Sequence, residues 1–379
     1  DLARPPRSPA LAAMRAVSDE ASRRCRELAG QLRKKHEETY ERLAREVGGA
    51  VAVSEEARDA RPEDLGRIDT FEFEEQVVLG GAIRAVLDRH WEPVLAWADD
   101  RRGEASFWLE REHAHLRRCA WTIVEEAARL GRTIAAHTPG LGSVQTLEDA
   151  VERYATHAFQ VDRAHRRFEE EWNRTKDPQL PHYAELTEIV ASLRSLYREW
   201  ADDTARAFTR LCEARGFLPD ESLQQRTLFD DVVRPLAESG EPTAVFLLDA
   251  LRYEMGAWLA DELRAEASVT VDLRARLAEL PTVTSVGMNA LAPVSEGGRL
   301  DADVAARGEI RGFRAGSFVV HDLDTRARAM GQRALGEKAR GVTLEAVVDA
   351  PEPTLKGWVS KGPKLLVVAA QEIDGAGEA

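Results

Sequence analysis

Apolar residues recur at three- and four-residue steps through the first two-thirds of the chain, which is the spacing of one helical face. This spacing predicts helices over residues 9–48, 71–99, 103–136, 147–176 and 181–215, and a short one over 228–237. No alternating strand pattern competes with it before residue 240. The N-terminal region is therefore predicted to be all-α.

After Gly216 the pattern changes to short, continuous apolar runs separated by helical stretches. The runs predict four strands: Ala244–Leu248, Val269–Leu273, Ser317–His321 and Leu365–Ala370. Helices are predicted between them, over Tyr253–Ala265, Ser285–Leu291 and Leu344–Asp349. This alternation is typical of a parallel or mixed α/β sheet with both faces covered. The fold class is thus α + α/β.

The same changes of pattern suggest domain limits. Residues 1–225 form the α-helical region, in which the Pro- and Gly-containing stretch near 137–145 offers a division into two subdomains. Residues 226–241 are interpreted as a connector, and residues 242–379 as the α/β domain. The chain starts without Met and stops just after an acidic turn, so we expect it to be a piece of a longer protein.

Composition narrows the class of protein. With 52 basic and 66 acidic residues, the net charge of -14 argues against a protein whose main task is to wrap nucleic acid. The thiols Cys25, Cys119 and Cys212 form no CxxC pair, so neither a disulfide framework nor a zinc ribbon is indicated, and a reducing, cytoplasmic location is predicted. No apolar run approaches the roughly 18 residues of a membrane span, and no signal peptide opens the chain, so no membrane partner is predicted.

Asp249 directly follows the apolar run Val245–Leu248 and is the first candidate for chemistry. A carboxylate at the end of a buried strand needs an ion pair, a hydrogen bond or a cation. Sites in sheets of this kind lie at the carboxyl ends of the strands. Asp is also a favoured helix N-cap, and spacing alone gives the two interpretations about equal weight.

Thr284 and Thr282 supply candidate hydroxyl groups in a turn that leads into a small-residue helix. Pro281 fixes the entry to the turn, and Gly287 permits close approach to the backbone. The start of a helix favours a bound phosphate through its unpaired N–H groups and its dipole. Capping of the helix is the alternative, and for an isolated Pro-Thr-x-Thr it is the stronger one.

A third acidic segment follows the last predicted strand. Asp374 and Glu378 are four positions apart with two glycines between them, so both carboxylates could approach one cation. The alternative is an Asp-Gly surface turn without ligands.

Taken together, segments 249–254, 280–291 and 372–378 resemble the PglZ domain, a branch of the alkaline phosphatase superfamily that belongs to BREX bacteriophage-exclusion systems. The resemblance covers residues from about 242 to 379, the first half of that catalytic domain. A weaker likeness extends over Tyr154–Phe217. Each motif alone is weak, but three in the correct order are fairly specific.

The resemblance implies a site for two divalent metal ions, Zn²⁺, Mn²⁺ or Mg²⁺. Asp249 matches a ligand of one ion, and Thr284 matches the nucleophile that also contacts metal, with Thr282 in support. Asp374 matches a ligand of the second ion, while Glu378 stands where the family has histidine. A carboxylate there shifts preference toward harder cations such as Mn²⁺ or Mg²⁺.

Two further residues are expected to bind substrate. Arg252, just beyond Asp249, could donate to a phosphate oxygen, although a solvated or ion-paired arginine is the more ordinary reading. Asn289 lies in the helix that Thr284 begins.

The function implied is that of a metal-dependent phosphatase or phosphodiesterase in an anti-phage defence system. Its partners would be a phosphate ester, for example a nucleotide or nucleic acid, and other defence-system proteins. The alternative is a non-catalytic scaffold or nucleotide-sensing subunit of the same kind of complex. Because the later ligands of the superfamily would follow Ala379, the site is expected to be incomplete within this chain.

Overall fold

The computed structural model of the protein describes residues 18–56, 60–65, 69–101, 106–111, 114–142, 144–362, 364–373 and 375. These residues divide into two compact units. The first takes the chain up to Thr138 together with Gln160–Asp202, and the second takes Pro139–Phe159 together with the chain from Asp203 onward. Asp249 and Thr284 both belong to the second unit.

Among the described residues up to Arg215 the regular elements are helices, as the apolar spacing predicts. The predicted helix 103–136 is wrong in its first part, because residues 106–111 form turns and the helix begins at His115. They are α1 (Asp19–Lys35), α2 (Glu37–Ala50), α3 (Val53–Glu56), α4 (Pro62–Leu65), α5 (Glu72–Leu87), α6 (Trp91–Asp100), α7 (His115–Ala136), α8 (Leu147–Arg153), α9 (Phe159–Thr175) and α10 (Tyr183–Arg215). A π-helical segment, Tyr154–Ala158, joins α8 to α9. The predicted helices 147–176 and 181–215 are therefore confirmed.

Two of the long predicted helices are each divided in two. The prediction over 9–48 becomes α1 and α2, because His36 leaves helical geometry at φ -141° and ψ 59°; its first residues, 9–17, lie outside the described part. The prediction over 71–99 is divided before Trp91, where Arg89 takes a positive φ of 61°. Apolar periodicity continues across both breaks, so it could not reveal them.

The core of the first unit forms along α7, whose buried apolar residues follow helical spacing: Ile123, Val124, Ala127, Leu130 and Ile134. Glu75 of α5 is also fully buried, and Trp121 Nε1 donates a hydrogen bond to its carboxylate. Arg101 lies beside the same carboxylate at 3.8 Å. Burial raises the pKa of Glu75, and these neighbours oppose the rise.

The second unit continues beyond α10 into irregular chain and an α/β region. Between α10 and the first strand lie two 3₁₀ turns, Glu221–Leu223 and Gln225–Thr227, and a π-helical segment, Phe229–Val233. The helices that follow are α11 (Arg234–Glu238), α12 (Tyr253–Arg264), α13 (Thr284–Ala290), α14 (Leu323–Leu335), α15 (Leu344–Val348) and α16 (Glu352–Lys361). The strands are β1 (Thr243–Leu248), β2 (Ser295–Glu296), β3 (Arg299–Leu300), β4 (Ala302–Val304), β5 (Ile310–Ala315), β6 (Phe318–Val320), β7 (Arg340–Thr343) and β8 (Leu365–Ala370).

Three of these strands form a parallel sheet in the order β1-β8-β7. Leu248 at the end of β1 lies opposite Ala370 at the end of β8. The predicted strands Ala244–Leu248 and Leu365–Ala370 are thus confirmed, and their carboxyl ends meet at one edge. The mixed α plus α/β class is correct.

Two predicted strands do not belong to this sheet. Val269–Leu273 is irregular chain, although its apolar residues alternate. Ser317–His321 contains β6, but β6 pairs antiparallel with β5 in a separate three-stranded sheet. The third strand of the parallel sheet is instead β7, which carries a single large apolar residue, Val342.

One apolar cluster connects the sheet to α13 and α14. Its buried members include Phe229, Leu247, Val286, Met330 and Val367. Helix α13, which Thr284 begins, is therefore part of the core in which β1 and β8 also pack. This shared core brings the second candidate segment to the same unit of structure as Asp249.

Candidate functional site

Asp249 lies in the turn directly after β1 and is 8% exposed. Its backbone N–H donates to the carbonyl of Ala370 at 2.9 Å, so it occupies the edge where β8 also ends. Its Oδ1 accepts from the N–H of Ala250 at 3.0 Å. Among the described residues, none hydrogen-bonds its buried Oδ2. A buried carboxylate oxygen in that state is suited to a cation.

Capping does not explain Asp249. Helix α12 begins at Tyr253, and its N-cap is Arg252, three residues further on. The intervening Ala250 takes a positive φ of 58°. This conformation costs an L-residue other than Gly, Asn or Asp about 1 kcal/mol, and such strain is found preferentially at functional sites.

Thr284 is the first residue of α13, and Val283 precedes it as the N-cap. Thr284 and Thr282 are both exposed, and neither side chain caps the helix. Among the described residues, none hydrogen-bonds the Thr284 hydroxyl. The capping alternative therefore does not account for Thr284, whose oxygen is open to solvent.

Arg326 is a residue of this region that the sequence reasoning missed. It lies in the first turn of α14, is 8% exposed, and its Nη1 donates to Asn289 Oδ1 at 2.9 Å. Asn289 in turn donates through Nδ2 to the carbonyl of Ser285 at 2.8 Å. Within the described chain, the buried Nε of Arg326 has no hydrogen-bond partner. The guanidinium thus holds the helix that Thr284 begins.

Asp249 also contributes to the electrostatic surroundings of Arg326. Burial lowers the pKa of Arg326, and the nearby carboxylates of Asp322 and Asp249 oppose that shift. Asp322 is fixed as the N-cap of α14, accepting from Thr325 N–H at 2.8 Å, and the Thr325 hydrogen bonds lower the pKa of Asp322. The local sequence 322–326 looks like an ordinary capping segment, so nothing in it points to a buried guanidinium beside a strand end.

The predicted substrate residues both have partners within the protein. Asn289 is 1% exposed, and its amide bonds Ser285 and Arg326. Arg252 is exposed, and its Nη2 pairs with Glu254 Oε1 at 2.9 Å. Their contact with substrate stays a prediction.

The predicted ligands of the second metal ion, Asp374 and Glu378, lie outside the described residues. Within the described ranges, no group of three or more His, Cys, Asp or Glu side chains is placed to hold a metal ion. Asp249 fits the role of a ligand through its unpartnered oxygen, but the described residues do not complete a coordination shell.

A large cavity lies elsewhere, in the first unit. It has a volume of about 830 Å³ and is lined by Arg118, Trp121, Arg129, Arg167 and four glutamates, among others. Two of its arginines are ion-paired within the lining, Arg129 with Glu125 at 2.5 Å and Arg167 with Glu126 at 3.1 Å. The residues that line this cavity do not indicate one class of ligand.

Known proteins similar to this chain agree on one family. Residues 228–308 match the family described as the BREX system PglZ alkaline phosphatase-like domain. The chain is 24% identical over 280 residues to alkaline phosphatase-like protein BrxZ of Escherichia coli O9:H4 (strain HS). It is 26% identical over 150 residues to alkaline phosphatase-like protein PglZ of Bacillus cereus (strain H3081.97). The resemblance based on the three motifs is thereby confirmed at the level of the family.

The matches cover the relatives only in part. The alignment with BrxZ takes in 69% of this chain and 30% of the relative, and the alignment with PglZ takes in 38% and 17%. No solved structure matches the chain. Over the described residues, every helix is too short or too polar to cross a membrane.

Proposed function

Since residues 228–308 match the PglZ family, we propose that the protein is a metal-dependent phosphoesterase of alkaline-phosphatase-like type, a phosphatase or phosphodiesterase, in a bacterial anti-phage defence system. The observation that carries the proposal is Asp249. Its buried Oδ2 has no hydrogen-bond partner in the described chain, at the edge of the parallel sheet where β1 and β8 end. A helix-capping role is excluded because the helix that follows begins three residues beyond Ala250, with Arg252 as its N-cap.

In this proposal two divalent ions complete the site, with Asp249 and Thr284 at one ion and Asp374 and Glu378 at the other. Bound ions of this kind lower the pKa of a coordinated hydroxyl and neutralise the phosphate. The carboxylate of Glu378, where the family has histidine, favours Mn²⁺ or Mg²⁺ without excluding Zn²⁺.

The chain's own residues would act in three ways. The exposed Thr284 hydroxyl would pass its proton to a solvent water and attack phosphorus, so that a bond from Thr284 Oγ1 to phosphorus forms as the bond to the leaving oxygen breaks. A water molecule would then attack phosphorus and break the Thr284 Oγ1–phosphorus bond, which releases phosphate (or the phosphate monoester, from a diester) and restores the hydroxyl. Arg326 keeps α13 in place through Asn289. Arg252 lies exposed near the start of α12 and could turn from Glu254 to a phosphate oxygen.

A non-catalytic scaffold or nucleotide-sensing subunit is the second candidate. The observation that favours it is the buried guanidinium of Arg326, whose charged form Asp249 helps to stabilise. A built-in cation of this kind could substitute for one ion. In that case the site would bind a phosphate without cleaving it.

The setting of the protein is also part of the proposal. The family belongs to BREX systems, so other defence-system proteins are the proposed partners, and a nucleotide or nucleic acid is the proposed source of the phosphate ester. Three free cysteines fit a reducing compartment, which supports a cytoplasmic location.

The proposal is tested by assaying the full-length protein on bis(p-nitrophenyl) phosphate and on p-nitrophenyl phosphate. We expect protein stripped with EDTA to be inactive, and added Mn²⁺ or Zn²⁺ to restore hydrolysis of at least one substrate by about a hundredfold or more. Hydrolysis that survives stripping would contradict metal dependence. No hydrolysis of either ester under any metal, together with saturable nucleotide binding, would instead favour the sensing subunit.

A further inference from the structure

We propose that Gln225 and Arg226 are positioning residues, which clamp the two ends of the turn carrying Thr282 and Thr284. The proposal rests on the proposed function, because it concerns the placement of the Thr284 hydroxyl. It also assigns a role to two residues at the boundary between the predicted α-helical region, residues 1–225, and the predicted connector, residues 226–241.

Gln225 ties the turn at both ends with one side chain. Its Oε1 accepts from the backbone N–H of Glu279 at 2.9 Å, and its Nε2 donates to the carbonyl of Gly287 at 3.0 Å. Glu279 precedes the turn, and Gly287 lies one turn inside α13. A carboxamide is needed for this task, because it offers an acceptor and a donor on the same planar group.

Arg226 fixes the entry to the turn more firmly. Its Nε donates to Glu279 Oε1 at 2.7 Å, its Nη2 donates to Glu279 Oε2, and its Nη1 donates to the carbonyl of Gly298 at 2.9 Å. The Arg226 and Glu279 side chains are only 11% and 8% exposed. A bidentate pair with so little solvent holds a definite geometry, unlike a surface ion pair.

The backbone reinforces the same junction. Leu277 N–H donates to the carbonyl of Leu223 at 2.9 Å. The guanidinium of Arg276 contacts the same segment: it donates to the carbonyl of Gln224 at 2.9 Å and to Asp231 Oδ2 at 2.9 Å. Residues 223–231 and 276–279 therefore form one hydrogen-bonded assembly.

The turn between these anchors has little support of its own. Leu280 and Val283 are 61% and 50% exposed, and Thr282 and Thr284 are exposed as well. Inside the turn, Val283 N–H donates to the carbonyl of Pro281 at 2.8 Å. The position of the Thr284 hydroxyl is thus set from the ends of the turn, and the ends are set by Gln225 and Arg226.

The test uses Gln225→Ala in the full-length protein, with Gln332→Ala as the matched control on an exposed glutamine of α14. Two quantities are measured: amide hydrogen exchange over residues 278–290, and kcat and KM on bis(p-nitrophenyl) phosphate with Mn²⁺. In Gln225→Ala we expect exchange in this segment to rise about tenfold, kcat to fall by about 10- to 100-fold, and KM to change less than about threefold. Gln332→Ala should match the wild type in both.

Gln225→Glu is a second variant for the case in which the alanine variant folds poorly. It keeps the acceptor for Glu279 N–H and loses the donor to Gly287, so exchange should rise at 284–290 more than at 278–281. Unchanged exchange over 278–290 in both variants would overturn the proposal, whatever happens to kcat. Raised exchange with an unchanged kcat would overturn it too.

The exchange measurement also separates this proposal from the proposed function. If wild-type protein hydrolyses no ester, the phosphoesterase assignment fails, and the clamp is judged on exchange alone. If wild type is active and the Gln225 variants match it in both measurements, the clamp fails while the assignment stands.

Discussion

In the full-length protein, Thr284→Ala is expected to lower kcat for the preferred phosphate ester by about a thousandfold or more, because the variant has no oxygen to attack phosphorus. The Thr284 side chain is exposed, sits after the N-cap, and makes no capping hydrogen bond. Its loss should therefore change the free energy of unfolding by less than about 0.5 kcal/mol. Steady-state kinetics and chemical denaturation measure the two effects separately.

Thr282→Ala is the matched control, since Thr282 is exposed in the same turn. It should retain activity within about tenfold, as befits a supporting residue. Thr284→Ser keeps a hydroxyl and should recover much of the rate. A Thr284→Ala variant with wild-type kcat would contradict the nucleophile assignment, and a large loss in Thr282→Ala alone would transfer it to Thr282.

The second large effect is expected on metal binding in Asp249→Asn. The substitution removes the charge while nearly preserving the shape, and it leaves Oδ2 without the charge that attracts a cation. We expect the affinity for Mn²⁺ in a calorimetric titration to fall at least about a hundredfold, since even outer partners of metal ligands are worth roughly 10- to 100-fold. Activity should fall with it.

The free energy of unfolding of the metal-free Asp249→Asn variant should be close to that of the wild type, because two effects on stability oppose each other. A buried carboxylate with an unpartnered oxygen is costly, so its neutralisation stabilises the metal-free protein. Arg326 at the same time loses an anionic neighbour, which destabilises it. Asp301→Asn is the control, because that side chain is 74% exposed. Equal Mn²⁺ affinity in wild type and Asp249→Asn would remove Asp249 from the ligands.

The sequence predicts those parts of the fold that local pattern determines. Most helices with one apolar face and the apolar strands β1 and β8 are found where expected, but β1 is less buried than predicted, with Phe246 51% exposed. Strand β7 could not be predicted, because it lies at the sheet edge and has only Val342 as a large apolar residue. Val269–Leu273 has the alternation of a strand and remains irregular, with Val269 41% exposed. Whether each of these segments becomes a strand depends on a pairing partner that is distant in the sequence, and a short stretch of sequence does not contain that partner.

The candidate site is also predictable from the sequence only in part. The position of Asp249 at a strand end follows from the apolar run before it. Arg326 and Gln225 do not follow from any local signal, because their contacts lie 37 and 62 residues away in the sequence. Only the folded chain shows that a guanidinium and a carboxamide hold the helix that Thr284 begins.

The proposed function requires that Asp249 and Thr284 serve one metal ion. This can be measured by anomalous diffraction at the manganese edge, from crystals of the full-length protein grown with Mn²⁺ and orthovanadate. We expect an anomalous peak about 2.2 Å from Asp249 Oδ2, at a distance that lets the Thr284 hydroxyl reach the same ion. Manganese bound with no contact to Asp249, or with Thr284 more than about 8 Å from the ion, would contradict it.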